Sequence, residues 1–395
     1  MGILKELFSQ IGEMIDGLLS KITDNPIIKK LIVVVGLFFI FIIIIALLSS
    51  CSHKRYSYEA FEKQMVVMAK KKYQDSDSLP KDDKGVLEVS LQTFVDSGYI
   101  KDVQSIIQNN SACTGKVKII NNYGNYLYIP YLDCGDKYTT KTLYDSIVSE
   151  DNLTVNGNGL YHVGDEYIFK GDSLNNYVIL NGIKYVILKV NSDGTLRVLD
   201  TTRRTMVKWD DRFNVDKNTN YGINNYIYNG INSRIKDYVE DLYNNNDIIN
   251  NSMKPYYATT EVCMGKRSVN DNIFDLSIEC SQTADKYPFT LISASEYYLA
   301  TLDNNCKSID DNSCNNYNYL SQIGSTWTIT ADKDTSYKVW KLNNGVYLSN
   351  ASNPSYVKVV TTLNGELAIE SGDGSSEKPY IIKTFENGKR NTAKK

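Results

Sequence analysis

The sequence predicts an α+β protein: an N-terminal amphipathic helix and a single transmembrane helix, then a small helix-plus-hairpin unit and a mixed β-rich domain. Three observations carry this. Leu31 to Leu48, "LIVVVGLFFIFIIIIALL", is eighteen residues long and contains no charge. On either side of it, apolar residues recur at three- and four-residue steps, the period of a one-sided helix. Further along, β-prone runs alternate with glycine turns such as "NYGN", Asn181-Gly182 and Asp193-Gly194.

Composition narrows the function classes. A chain of 395 residues has room for about two ordinary domains beside an anchor. A net charge of −3 offers no general basic footprint, so no nucleic-acid partner is expected. Only two histidines occur, His53 and His162. Ser-His-Asp and Cys-His nucleophile systems need a positioned imidazole, as do most zinc sites, so no catalytic residue, metal or cofactor is expected. The chain reads as a non-enzyme.

Each element follows in order. In residues 1–26, Ile3, Leu4, Leu7, Phe8, Ile11, Met14, Ile15 and Leu18 line one face of an amphipathic helix with mixed charge on the other. Residues 27–50 form the membrane helix, since eighteen uncharged residues at 1.5 Å each cover about 27 Å of bilayer. Lys29 and Lys30 at one end are matched by His53, Lys54 and Arg55 at the other, so charge does not orient it. The cysteines do. All seven lie at or beyond Cys51, which predicts a cytoplasmic N-terminus and extracellular residues beyond the helix.

Cys51 admits two readings. Leu48-Ser49-Ser50-Cys51 fits the short pattern before a lipidated bacterial cysteine. The long apolar run and the amphipathic helix ahead of it favour an uncut helix instead. Cys51 would then be unpaired at the membrane boundary, where it could crosslink a homodimer formed through the membrane helix. The other six cysteines fall into sequence-near pairs, Cys113 with Cys134, Cys263 with Cys280 and Cys306 with Cys314, which reads as three disulfides.

Residues 51–150 form the first extracellular unit. Tyr58, Phe61, Met65 and Met68 continue at helical spacing, and "VSLQTFVDSGYIKDV" is a short helix opened by Ser90 and stopped at Gly98. Lys116 to Asn121 and Tyr126 to Tyr131 flank the turn "NYGN" as a hairpin, with Cys113 and Cys134 just outside it. Residues 160–385 form the second unit. Tyr177 to Leu180, Ile183 to Val190 and Thr195 to Leu199 make a meander, "INSRIKDYVEDLYNN" an amphipathic helix and "SASEYYLATL" a second short one. Residues 386–395 are a basic tail.

Two resemblances add expectations. The order "AKKKYQ … LP … LQTFVDSGYI … YLDCGDKYTT" resembles pilin-like extracellular regions of Gram-positive surface proteins. The apolar run lacks the short basic leader and the glutamate of a prepilin, which favours a static, anchored relative. "NYVILNGIKYVILKV", "KWDDRFN", "SRIKDYVEDLY", "TWTITA" and the closing "GDGSSEKPYII" resemble C-type-lectin-like surface modules, a fold shared with the formylglycine-generating enzyme family. That resemblance implies a binding module. The calcium motifs of sugar-binding C-type lectins, E-P-N or Q-P-D with W-N-D, are absent, and Asp310-Asp311 reads as a solvated acidic loop.

Trp327 and Trp340 are expected in the core. Asn316, Tyr317 and Tyr319 in "CNNYNYL" are the best candidate ligand-binding residues, since Tyr and Asn make low-entropy contacts with adaptable hydrogen bonds. The function expected is a membrane-tethered extracellular binding or adhesion protein with a surface protein or glycan as ligand. A pilin-like component of a secretion or pilus machine and an extracellular hydrolase are the alternatives.

Overall fold

The chain from Ser57 onward starts with a capped helix. The computed structural model describes residues 55–202 and 204–385, together with Gly17 and Val35. Ser57 Oγ accepts from the Ala60 amide at 3.2 Å and opens α1 (Tyr58–Tyr73). The spaced residues Tyr58, Phe61, Met65 and Met68 are buried along one face. β1 (Val86–Ser90) runs directly into α2 (Leu91–Asp96), which Ser90 caps and Gly98 ends at φ 72°. After α3 (Val103–Ile106), β2 (Thr114–Asn122) and β3 (Asn125–Asp133) form the hairpin, with β1 added beside β2.

The hairpin is buried on both faces. Because side chains alternate along a strand, Val117, Ile119, Tyr128 and Leu132 pack with Phe61, Met65 and Phe94. Ile120, Leu127 and Ile129 point the other way, into a second and larger core. α4 (Leu143–Ile147), capped by Thr142, packs in that larger core through Leu143 and Ile147.

A ten-stranded sheet holds the larger core. β4 (Gly159–Val163) and β5 (Glu166–Lys170) lead into the meander β6 (Tyr177–Leu180), β7 (Ile183–Val190) and β8 (Leu196–Asp200). Asn181 and Gly182 both take positive φ, 50° and 79°, as a two-residue hairpin turn requires. β9 (Val207–Lys208), β10 (Ile227–Tyr228) and β11 (Ile231–Asn232) are short and precede α5 (Arg234–Asn244). α5 buries Ile235, Val239 and Leu242. Then come β12 (Tyr257–Ala258), β13 (Thr260–Cys263), β14 (Thr283–Tyr287), β15 (Phe289–Leu291) and α6 (Ala294–Leu299). β16 (Thr326–Ala331), β17 (Lys338–Leu342) and β18 (Val346–Asn350) make a three-stranded sheet. β19 (Pro354–Ser355), β20 (Val359–Leu363), β21 (Ile369–Ser371) and β22 (Tyr380–Ile382) complete the described residues.

The large sheet has the order β12-β20-β8-β7-β6-β22-β21, with β15 also on β20, β5 on β7 and β4 on β5. β22 lies parallel to β6, and the other pairs in this sheet are antiparallel. All three tryptophans are buried, and each indole N–H donates to a main-chain carbonyl: Trp209 to Thr328, Trp327 to Val207 and Trp340 to Arg267.

The described residues from 57 to 385 form one compact unit, in which residues 57–150 and 160–385 meet across the hairpin. Asn122 Nδ2 donates to the carbonyls of Pro255 and Tyr257, and Lys118 pairs with Glu366 at 2.8 Å. A buried ion pair joins α1 to the end of the described chain: Lys383 Nζ lies 2.6 Å from Glu62 and also donates to the Tyr138 hydroxyl. The three disulfides are Cys113–Cys134, Cys263–Cys280 and Cys306–Cys314.

The predicted fold class and localisation need correction. Among the described residues no helix is long and apolar enough to cross a membrane. α1 has 16 residues, about 24 Å of helix against a hydrocarbon core of roughly 30 Å. It carries Glu59, Glu62, Lys63, Lys70, Lys71 and Lys72, and its apolar face is occupied by the hairpin. The described fold is therefore α+β with short helices and mostly strands, and the single-pass membrane placement is not upheld. The expected amphipathic helix (1–26), membrane helix (27–50), Cys51 and basic tail (386–395) lie outside the described residues, but for Gly17 and Val35.

Candidate binding site

The loop that carries the sequence-predicted residues is built around a short disulfide. Cys306–Cys314 spans eight positions, and both sulfurs are buried. Asp311 accepts from the amide and hydroxyl of Ser313, at 2.9 and 2.8 Å, and Asp310 from the Ser308 hydroxyl at 2.9 Å. These bonds from Ser313 hold the Asp311 carboxyl below its ordinary range. The acidic loop thus spends its carboxylates on its own turns.

Asn316 is exposed but engaged. Its side-chain amide donates to Asp303 at 2.7 Å, and its carbonyl accepts from the Thr301 hydroxyl at 2.7 Å. Hydrogen bonding from Asn316 is the leading reason that Asp303 titrates below the ordinary carboxylate range. Tyr317 follows with φ 45°, a left-handed backbone that an aromatic residue rarely adopts, and its side chain is 60% exposed. Asn318 then turns the chain inward. Its buried amide donates to the carbonyls of Tyr297 and Cys314, both at 2.9 Å. Tyr319 enters the core, where burial pushes its phenol well above the ordinary value. The structure therefore places Asn316 and Tyr317 together at the surface and Tyr319 beneath them.

Tyr317 forms one wall of a groove of about 640 Å³. Val155 (96% exposed) and Phe274 (58%) line it as well, with Tyr161 and Lys170 on strands β4 and β5. Tyr161 is anchored by donating to the Gly157 carbonyl at 2.7 Å, and Lys170 Nζ sits 5.3 Å from its ring centre. Partial burial lowers the Lys170 pKa. Asn156, Asn158, Asp303 and Asn304 supply polar groups around these rings.

Val155, Tyr161 and Phe274 escape a reading of the sequence because they are scattered over more than a hundred positions. The legible signal is an apolar residue set in a loop rich in Asn, Asp and Gly, as in "LTVNGNG" and "DNIFDLS". His162 is exposed and stacks on the Tyr167 ring at 4.7 Å. Among the described residues no group of three or more His, Cys, Asp or Glu is placed to hold a metal ion.

No protein-family model, curated protein or solved structure matches this chain, so the pilin-like and lectin-like resemblances rest on sequence order alone.

Proposed function

We propose that this is a non-catalytic binding protein of an oxidising, extracytoplasmic space, which engages a surface protein through the groove beside Tyr317. The three disulfides suit that compartment. The observation that carries the reading is Tyr317 itself. Left-handed backbone costs an L-residue about 1–2 kcal/mol, and here it holds an aromatic ring in the open. Phe274 and Val155 extend the patch, and large apolar side chains gathered within a polar rim are the make-up of a protein contact. An exposed aliphatic such as Val155 adds nothing to a sugar's hydroxyls, so a protein anchor fits better than a glycan.

The test is capture by the full chain on an array carrying both surface proteins and glycans. Protein capture that weakens about tenfold or more in Tyr317→Asn and Phe274→Ala, at unchanged melting temperature, supports the reading. Capture of glycans alone, or variants that bind as well as the parent, counts against it.

A further inference from the structure

A second cavity, of about 550 Å³, lies over the large sheet. Its floor is a polar row: Lys189 on β7 faces Arg197 on β8, which faces Thr362 on β20. Directly opposed residues on neighbouring strands share a face, so three polar side chains project together from a sheet whose other positions are mostly apolar. Ser293, Ser295 and Glu296 of the α6 start form one wall, and Thr259, just before β13, and Glu261 within it form another.

Three features of this cavity have no structural explanation. Among the described residues, the hydroxyl of Thr362, a residue only 1% exposed, has no hydrogen-bond partner, and neither has the buried hydroxyl of Thr259. A buried hydroxyl without a partner is destabilising, because its desolvation is not compensated, and this pair shares one cavity. The third is Tyr123, at the tip of the β2–β3 hairpin, which lines the same cavity in left-handed backbone at φ 50°. Asn or Gly would turn there with less strain. The chain instead presents an aromatic ring to the cavity.

The charges of the site indicate what it accepts. Arg197 pairs with Glu296, Lys189 with Glu166 at 2.7 Å, Lys84 with Asp193 at 3.0 Å, and Glu279 with Arg267 at 2.6 Å. Lys286 and Glu261 remain, exposed and opposite in sign. No buried charge is left over, so an ionic ligand would be desolvated without a counter-charge. A neutral ligand rich in hydroxyls meets no such penalty. Arg197 uses Nε and Nη2 on Glu296 and Nη2 also on the Leu291 carbonyl, and among the described residues its Nη1 has no hydrogen-bond partner.

We propose that this cavity is a binding site for a neutral saccharide, separate from the Tyr317 groove and independent of metal. The Tyr123 ring covers the C–H face of a sugar ring. Thr362 and Thr259 exchange hydrogen bonds with its hydroxyls, and Arg197 Nη1 donates to a ring or hydroxyl oxygen. The volume falls within the roughly 300–1,000 Å³ usual for small-molecule sites.

The experiment uses the full chain with the methyl glycosides of glucose, galactose and N-acetylglucosamine, followed by ligand-observed NMR and thermal melting. At least one glycoside should bind saturably and raise the melting temperature. Thr362→Val removes the hydroxyl at nearly constant volume. It should leave the unliganded melting temperature unchanged or higher, because the lost group had no partner, and weaken the glycoside by about tenfold or more. Tyr123→Asn should melt higher and bind no glycoside, whereas Tyr317→Asn should bind like the parent. The proposal is overturned if none of the three glycosides binds, if Thr362→Val destabilises the unliganded chain, or if binding survives both cavity variants. Loss of binding in Tyr317→Asn would move the sugar to the other groove and overturn it equally.

Discussion

Individual tyrosines set a prediction about alkaline stability. Burial raises the phenol pKa of Tyr226, Tyr298 and Tyr319 well above the ordinary value of 10, and burial followed by the Glu240 charge pushes Tyr287 up to about 12. A folded-state pKa above the unfolded one means that the unfolded chain releases these protons first. Their contribution is therefore complete below pH 10 and is lost as pH rises through the folded values. Chemical denaturation measured from pH 8 to 12 should show stability falling above pH 10, and a flat profile would contradict the burial of these rings. At this scale the sequence is legible where size decides: a tryptophan at 327 or 340 had little choice but the core. It is not legible between Tyr317 and Tyr319, because the turn that sends one ring out and the other in belongs to Asn318 and its bonds to the carbonyls of Cys314, four positions back, and Tyr297, twenty-one back.

Several elements were readable from a cap or turn residue, whereas α3 and α4 escaped although Asp102 and Thr142 cap them, because each is too short to show a helical period. Ser90, Ser233 and Ser293 each sit immediately before a helix, and Ser293 forms a full capping box with Glu296. Ser293→Ala should cost about 1 kcal/mol in thermal or urea unfolding. Glu296 adds a pH signature. Burial works to raise its pKa, but the Arg197 charge and hydrogen bonds outweigh that and leave it lowered from 4.5. A depressed carboxylate stabilises fully above its unfolded value and loses that contribution as pH falls through the folded one. Arg197→Gln should therefore lower stability at pH 7 and flatten its decline below pH 4.5, as read by denaturant midpoints. The disulfide Cys306–Cys314 shapes the Tyr317 loop, and closing so short a loop is worth about 2.5 kcal/mol. Replacing both cysteines by serine should lower stability by about that much, with weaker capture at the Tyr317 groove. What the local pattern concealed was the hairpin's second face. "KVKI" alternates like a one-sided strand, yet Ile120, Leu127 and Ile129 serve a core contributed mostly by residues beyond 140.

At the scale of the whole molecule, that two-sided hairpin governs how far the chain can be divided. Residues 160–385 made alone would lack Ile120, Leu127 and Ile129 and would expose the face they cover. Such a fragment should melt well below residues 57–395 and bind a hydrophobic dye, and equal melting temperatures would show that the hairpin contact contributes nothing. Long-range pairings such as β22 beside β6 are invisible in the sequence, because some two hundred positions separate the partners and no local pattern specifies them. Breaking the Glu62–Lys383 pair by Glu62→Gln leaves a buried ammonium without its counter-charge and should cost about 3 kcal/mol in equilibrium unfolding.

That same pair has a mechanical meaning. Glu62 and Lys383 stand 321 positions apart, so one side-chain contact closes nearly the whole described chain into a ring. β22 adds a parallel strand pairing beside it, and Phe385 donates its amide to the Tyr256 hydroxyl. Tension applied between residue 57 and residue 385 would load this clasp first, pulling on a desolvated ion pair and a laterally sheared strand before any hairpin could unzip. Single-molecule pulling between those two ends should then give one high-force rupture that Glu62→Gln lowers, followed by weaker events as the sheet comes apart. Under the binding function proposed above, a lock between α1 and the residues that follow β22 sets the load at which the grip begins to fail.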